Sequence, residues 1–324
     1  MNINNFKKTA YNEPFIPQRA DPFVTRTPEG TYLFTASVPE YDRIALRAAA
    51  TLEGLKDAEE TVVWRKHEKG IMSQHIWAPE IHLIDGRWYI YFAASDVDDI
   101  WALRPYVLGC KGDDPMNDPW EELGQMRSSA DDPFSFNDFS LDMTVFEVAG
   151  VWYCVWAEKV NIGKKISNLY IAELESPTRL KTPQVLLSAP DYDWERYEFW
   201  VNEGPGLLRH DGRVFLTYSA SSTGMRYCVG LLSAKEGDDL TDPALWHKER
   251  YPVLQSDVEK GMIGPGHNSF TKLPDGTDVM IYHARQYDEI EGDPLYDPNR
   301  HAYRMRIEWD ESNGYPVFDI SNNF

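Results

Sequence analysis

Two independent markers recur through the chain with one period of about sixty residues. A turn glycine between two apolar runs stands at Gly30, Gly86, Gly150, Gly212 and Gly276, at intervals of 56, 64, 62 and 64 residues. A polar residue leading each apolar run stands at Asp21, Glu80, Asp142, Glu203 and His267, at intervals of 59, 62, 61 and 64. Each copy therefore reads as a β-hairpin, because a tight turn of the right twist needs the positive φ that glycine supplies freely. The rest of each period has room for two further strands, which makes the unit a four-stranded propeller blade. Five copies fill 324 residues. A unit that cannot cover both its faces stacks on its neighbours, and radial closure removes the sheet edges that would template aggregation. The period thus predicts an all-β chain, a five-bladed β-propeller in which residues 1–324 form a single domain, with blades opening near 21, 80, 142, 203 and 267. A β-sandwich is the competing reading, and it gives no reason for a period near sixty.

Composition narrows the partners. The formal charge is −20, which repels nucleic-acid phosphates and anionic lipid surfaces, so neutral or cationic small molecules are expected as ligands. No apolar run approaches the roughly 18 residues of a membrane span. The opening residues carry no apolar stretch of signal-peptide length, and no Asn-x-Ser/Thr acceptor occurs, which predicts a cytoplasmic protein. Three widely spaced cysteines, Cys110, Cys154 and Cys228, make neither a disulfide framework nor a zinc site and read as buried apolar residues.

Equivalent positions at the blade openings converge on one mouth of the propeller, which collects four carboxylates and one imidazole. Like charges brought together raise one another's pKa and cost stability, so an acidic mouth points to function. Hydrolysis of a glycosidic bond needs one protonated and one ionised carboxyl group at the same pH, and a third acid helps separate their pKa values. Asp21, Asp142 and Glu203 can fill these roles. Glu80 stands only six residues before its glycine and reads as a buried hydrogen-bonding partner.

The strings Ala20-Asp21-Pro22, Trp77-Ala78-Pro79-Glu80, Leu141-Asp142-Met-Thr-Val-Phe, Asn202-Glu203-Gly204-Pro205 and Gly266-His267-Asn268 together resemble glycoside hydrolase family 43, over about residues 13–319. The resemblance implies an inverting hydrolase with Asp21 as general base, Glu203 as general acid and Asp142 raising and orienting the acid. It implies that no cofactor is required for the chemistry, and that His267 lines the channel and binds a water or a Ca²⁺ ion on the axis, although one imidazole is a poor donor for so hard a cation. Trp77 is expected as an aromatic wall for a sugar ring. An arginine of the last blade is expected to reach the sugar; Arg300, Arg304 and Arg306 compete, with Arg300 favoured. Family members of this type act on arabinofuranosides, β-xylosides or arabinan. A chain of this length has no room for the β-sandwich that the xylosidases append, and arabinanases need export. The expected activity is therefore an exo-acting α-L-arabinofuranosidase on short, neutral arabino-oligosaccharides. The alternatives are a β-xylosidase, taking xylo-oligosaccharides, or an arabinanase of the same family, and a non-catalytic carbohydrate- or protein-binding propeller.

Overall fold

The computed structural model describes residue 9 and residues 11–160 and 166–324; most of the opening ten residues, which bear on the expected cytoplasmic location, lie outside them. Five strand groups follow one another in chain order. The first is β1 (Ala20–Arg26), β2 (Tyr32–Ser37), β3 (Arg43–Ala49) and β4 (Thr61–Arg65), and the second is β5 (Gln74–Ile84), β6 (Arg87–Asp96), β7 (Asp99–Cys110) and β8 (Trp120–Gln125). The third has β9 (Ser140–Val148), β10 (Val151–Val160) and β11 (Ile166–Ser176), with the short β12 (Arg179–Leu180) and β13 (Val185–Ser188) both pairing on β11. The fourth is β14 (Trp200–His210), β15 (Arg213–Ala220), β16 (Cys228–Lys235) and β17 (His247–Lys248), and the fifth is β18 (Ile263–Lys272), β19 (Asp278–Arg285) and β20 (His301–Arg306). All five opening strands pair antiparallel with the next strand, and all five turn glycines have positive φ, between 72° and 96°. The opening strands touch in the cycle β1, β5, β9, β14, β18 and back to β1. The fold is a five-bladed propeller.

The core lies between the blades. Val24, Phe34, Val279 and Ile281 pack the fifth blade on the first, Ile44, Ile81 and Ile90 the first on the second, and Tyr91, Val145 and Trp156 the second on the third. Val155, Leu169, Val214 and Leu216 join the third to the fourth, and Phe215, Val229, Met280 and Tyr282 join the fourth to the fifth. Strands buried on both faces explain why the apolar runs in each hairpin are nearly continuous. Among the described residues no helix is long and apolar enough to cross a membrane.

Two features depart from five equal four-stranded blades. The fifth has three strands of its own, and the N-terminal segment supplies the missing edge: Ile16 bridges Ala302 of β20, with hydrogen bonds in both directions of 3.2 and 2.9 Å. The third and fourth blades are also joined, by a parallel pairing of Ile166 with Trp200 and Ser167 with Val201.

Every opening strand carries an irregularity near its start. Its register slips there, and a residue at the slip takes a left-handed conformation: Asp21 (φ 52°), Ala78 (45°), Asp142 (53°), Gly204 (55°) and His267 (42°), with His75 (52°) and Gly264 (60°) as second such residues in β5 and β18. Bulges of this kind re-aim side chains, and each non-glycine residue held so costs on the order of 1–3 kcal/mol. They also correct the alignment of the repeats. The true counterpart of Asp21 in the second blade is Ala78, not Glu80, and in the fourth it is Gly204, with Glu203 one residue earlier.

Candidate active site

The bulges gather around a cavity of about 400 Å³ at the axis. Asp21, Asp142 and His267 reach it from left-handed positions, and Trp77 and Glu203 from the residue before the left-handed one. Trp101, Phe139, Phe199 and Leu295 give it apolar walls, and Arg300 lines it beside the carboxylates. Glu80 does not line it; buried to 6% exposure, it holds His82 Nε2 at 2.8 Å.

A bulge frees its N–H from the strand ladder, and an adjoining blade captures it. Ser37 Oγ accepts Ala78 N–H at 2.8 Å, Asp142 Oδ2 accepts Gly204 N–H at 3.1 Å, Ser219 Oγ accepts His267 N–H at 2.6 Å, and His283 Nδ1 accepts Asp21 N–H at 3.0 Å. Ser37 also donates to Asp21 Oδ2 at 2.6 Å. The carboxylate-bearing strands are thus tied to one another through the site itself.

The environments of the three acids diverge. Burial alone would raise Asp21, but the charges of Arg300, with Nη1 3.4 Å from Oδ1, and His267, with Nδ1 3.3 Å from it, hold its carboxyl well below the usual range. Burial lifts Asp142 to about 7, reinforced by the negative charges of Glu203 and Asp21 and opposed by His267. Glu203 is also raised by burial, although Tyr227 donates to its Oε1 at 2.8 Å. Burial works against a charged His267, yet the carboxylates of Asp142, Asp21 and Glu203 raise it. His283 falls to about 3 through burial, so it is neutral and its Nδ1 is free to accept the Asp21 N–H. The cavity therefore joins one firmly ionised carboxylate to a pair that holds a proton near neutral pH.

Of the three competing arginines only Arg300 reaches the cavity, with Nη2 on Tyr41 Oη at 2.9 Å. Arg304 is engaged by Glu53 and the Phe324 carbonyl, and Arg306 lies over the Phe324 ring. Trp77 packs on His75, ring centroids 4.3 Å apart, and edge-on to Tyr41. The Ca²⁺ ion implied by the resemblance does not suit these donors. Nδ1 of His267 faces carboxylates at 3.3 and 3.8 Å and is drawn toward its cationic form. Among the described residues no group of three or more His, Cys, Asp or Glu is arranged to hold a metal.

Sequence reasoning missed Ser37, Tyr41, Ser219 and Tyr227. A signal existed for the two serines: Ser37 is the last and Ser219 the last but one residue of the second strand of its hairpin, and following the period one strand further would have paired them.

The profile of the family described as glycosyl hydrolases family 43 matches residues 11–316. An extracellular exo-alpha-(1->5)-L-arabinofuranosidase of Streptomyces avermitilis is 45% identical over 311 residues, 96% of this chain and 63% of its own length. A protein of the same name from Streptomyces chartreusis is 47% identical over 88% of this chain and 85% of its own. The crystal structure of an alpha-L-arabinofuranosidase from Lactobacillus brevis superposes with a TM-score of 0.89 at 48% identity, covering 95% of both chains. The chain thus spans under two thirds of the first of these curated relatives. The expected cytoplasmic location is contradicted by the two relatives named extracellular. It had rested on the lack of an export segment and of glycosylation acceptors, and a missing feature says nothing about compartment; an acidic surface and three buried free cysteines suit either.

Proposed function

The chain belongs to glycoside hydrolase family 43, and we propose that it is an inverting, exo-acting α-L-arabinofuranosidase that releases arabinose from short arabino-oligosaccharides. The observation that carries this reading is the divergence of carboxyl groups in one cavity, with Asp21 held ionised and Glu203 raised. Asp21 takes a proton from the water that attacks the anomeric carbon, and Glu203 gives one to the departing glycosidic oxygen. Asp142 shares the raised pair with Glu203 and, by accepting the Gly204 N–H, fixes the residue next to the acid. Arg300 keeps Asp21 ionised and offers the rest of its guanidinium to sugar hydroxyls, and Trp77 and Trp101 provide apolar faces for sugar rings. No step calls for a cofactor. The exo mode draws its support from the names of the relatives. The same reading takes residues 1–324 as one catalytic propeller, supported by the contact of the last opening strand with the first.

A screen of defined arabino-, arabinoxylo- and xylo-oligosaccharides, read as monosaccharide release, tests the reading. Arabinose is the expected product, and Glu203→Ala is expected to cut its release by about 10²–10⁴-fold. Xylose as the main product, no release, or an unaffected variant overturns the reading.

A further inference from the structure

Tyr227 has no part in the roles given above, although its hydroxyl touches one of the carboxyl groups. It precedes β16, and its N–H closes a turn on the Gly224 carbonyl at 3.1 Å. Its ring is 1% exposed and lies parallel to the His283 ring, 3° from coplanar orientation with centroids 5.6 Å apart. Gly266 packs against it so closely that a Cβ there would lie 2.3 Å from Tyr227 Cε1. The ring has one place to be.

The hydroxyl is equally constrained. Ser219 Oγ accepts the His267 N–H and interacts with the Tyr227 hydroxyl, which in turn lies 2.8 Å from Glu203 Oε1. Ser219 accepts from His267 and so keeps its own proton to give, while the Tyr227 hydroxyl gives its proton to Glu203. Burial and the Glu203 charge hold the phenol well above its ordinary pKa, so it stays a donor wherever the enzyme works.

The geometry points to Tyr227 as a positioning residue that, by donating to Oε1 of Glu203, confines the acidic proton to Oε2, the oxygen left to meet the glycosidic oxygen. An oxygen that already accepts a strong hydrogen bond serves best as the carbonyl oxygen of the protonated acid. The same bond stabilises the carboxylate once the proton has left, which moderates the rise that burial imposes on Glu203. The inference rests on the reading of Glu203 as the general acid.

Tyr227→Phe keeps the ring and removes the donor. Its kcat and KM are compared with those of the wild type and Glu203→Gln across pH, on α-1,5-arabinobiose and on 4-nitrophenyl α-L-arabinofuranoside, whose leaving group needs little protonation. Tyr227→Phe is expected to lower kcat on the disaccharide by about 10–100-fold with a much smaller loss on the aryl substrate. The basic limb of its kcat/KM profile moves up by roughly one to two pH units. If Glu203→Gln shows the leaving-group bias and Tyr227→Phe loses both substrates alike with the limb unmoved, Tyr227 merely packs and the inference falls alone. If Glu203→Gln lacks the bias, the acid assignment falls and takes the inference with it. Should Tyr227→Phe not fold, Ser219→Ala reads the same shift, smaller and in the same direction, and an unmoved limb there is equally fatal.

Discussion

Replacing Arg300 by methionine isolates the force that keeps Asp21 ionised. The guanidinium is 6% exposed and lies 3.4 Å from Asp21 Oδ1. At an effective dielectric constant of about 20, two unit charges at that distance attract by about 5 kcal/mol, or between three and four pKa units. Two effects reduce the observable change. His267 remains at 3.3 Å and keeps its own attraction, and water entering the vacated space solvates the carboxylate. A rise of roughly one to three units in the Asp21 pKa is expected. Because a base works only when ionised, the acidic limb of the activity profile, which the lowered Asp21 pKa sets, must move up with it by a like amount. The assay is kcat/KM on an aryl arabinofuranoside across pH, since that ratio reports ionisations of the free enzyme. A weaker hold on the sugar lowers the whole curve without shifting its limb, so the two roles of Arg300 separate. An unmoved acidic limb accompanied by a higher KM refutes the electrostatic argument and leaves Arg300 as a sugar contact alone.

The N-terminal closure is testable by stability: Ile16 is fully buried against the fifth and first blades, so Ile16→Ala should cost about 2–5 kcal/mol and lower the melting temperature by several degrees. An unchanged transition means the edge is not closed by this segment. Chelation provides a separate check, because the carboxylates around His267 are neutralised by Arg300 and His267 itself: dialysis against EDTA should leave kcat and melting temperature unchanged, and a loss restored by added Ca²⁺ contradicts that account.

The propeller was legible because a hairpin announces itself locally: Gly30, Gly86, Gly150, Gly212 and Gly276 each sit where the turn demands positive φ, and the period did the rest. What was not legible depends on partners distant in sequence. Ile16 pairs with Ala302 across almost the whole chain, and nothing in its neighbourhood marks it as a strand edge. The bulges were read only in part. Asp21, Asp142 and His267 are residue types that tolerate left-handed backbone, so their leading positions coincide with the bulges, whereas in the second blade the bulge falls on Ala78 and the nearby Glu80 drew attention instead. Glu203 was found by a small misalignment, since Gly204 is the residue equivalent to Asp21. Tyr227 had no signature, because it stands between strands, away from the repeat's markers, and reaches Glu203 only through the folding of its own blade.

The claim that Asp21 and Glu203 divide base and acid duties across one cavity meets its most direct test in the stereochemistry of a single turnover. Proton NMR of the first arabinose released from an α-L-arabinofuranoside, recorded before mutarotation, should show the β-anomer, because water activated by Asp21 attacks opposite the bond that Glu203 protonates. The α-anomer as first product would mean a covalent glycosyl intermediate, and Asp21 could not be the base described here.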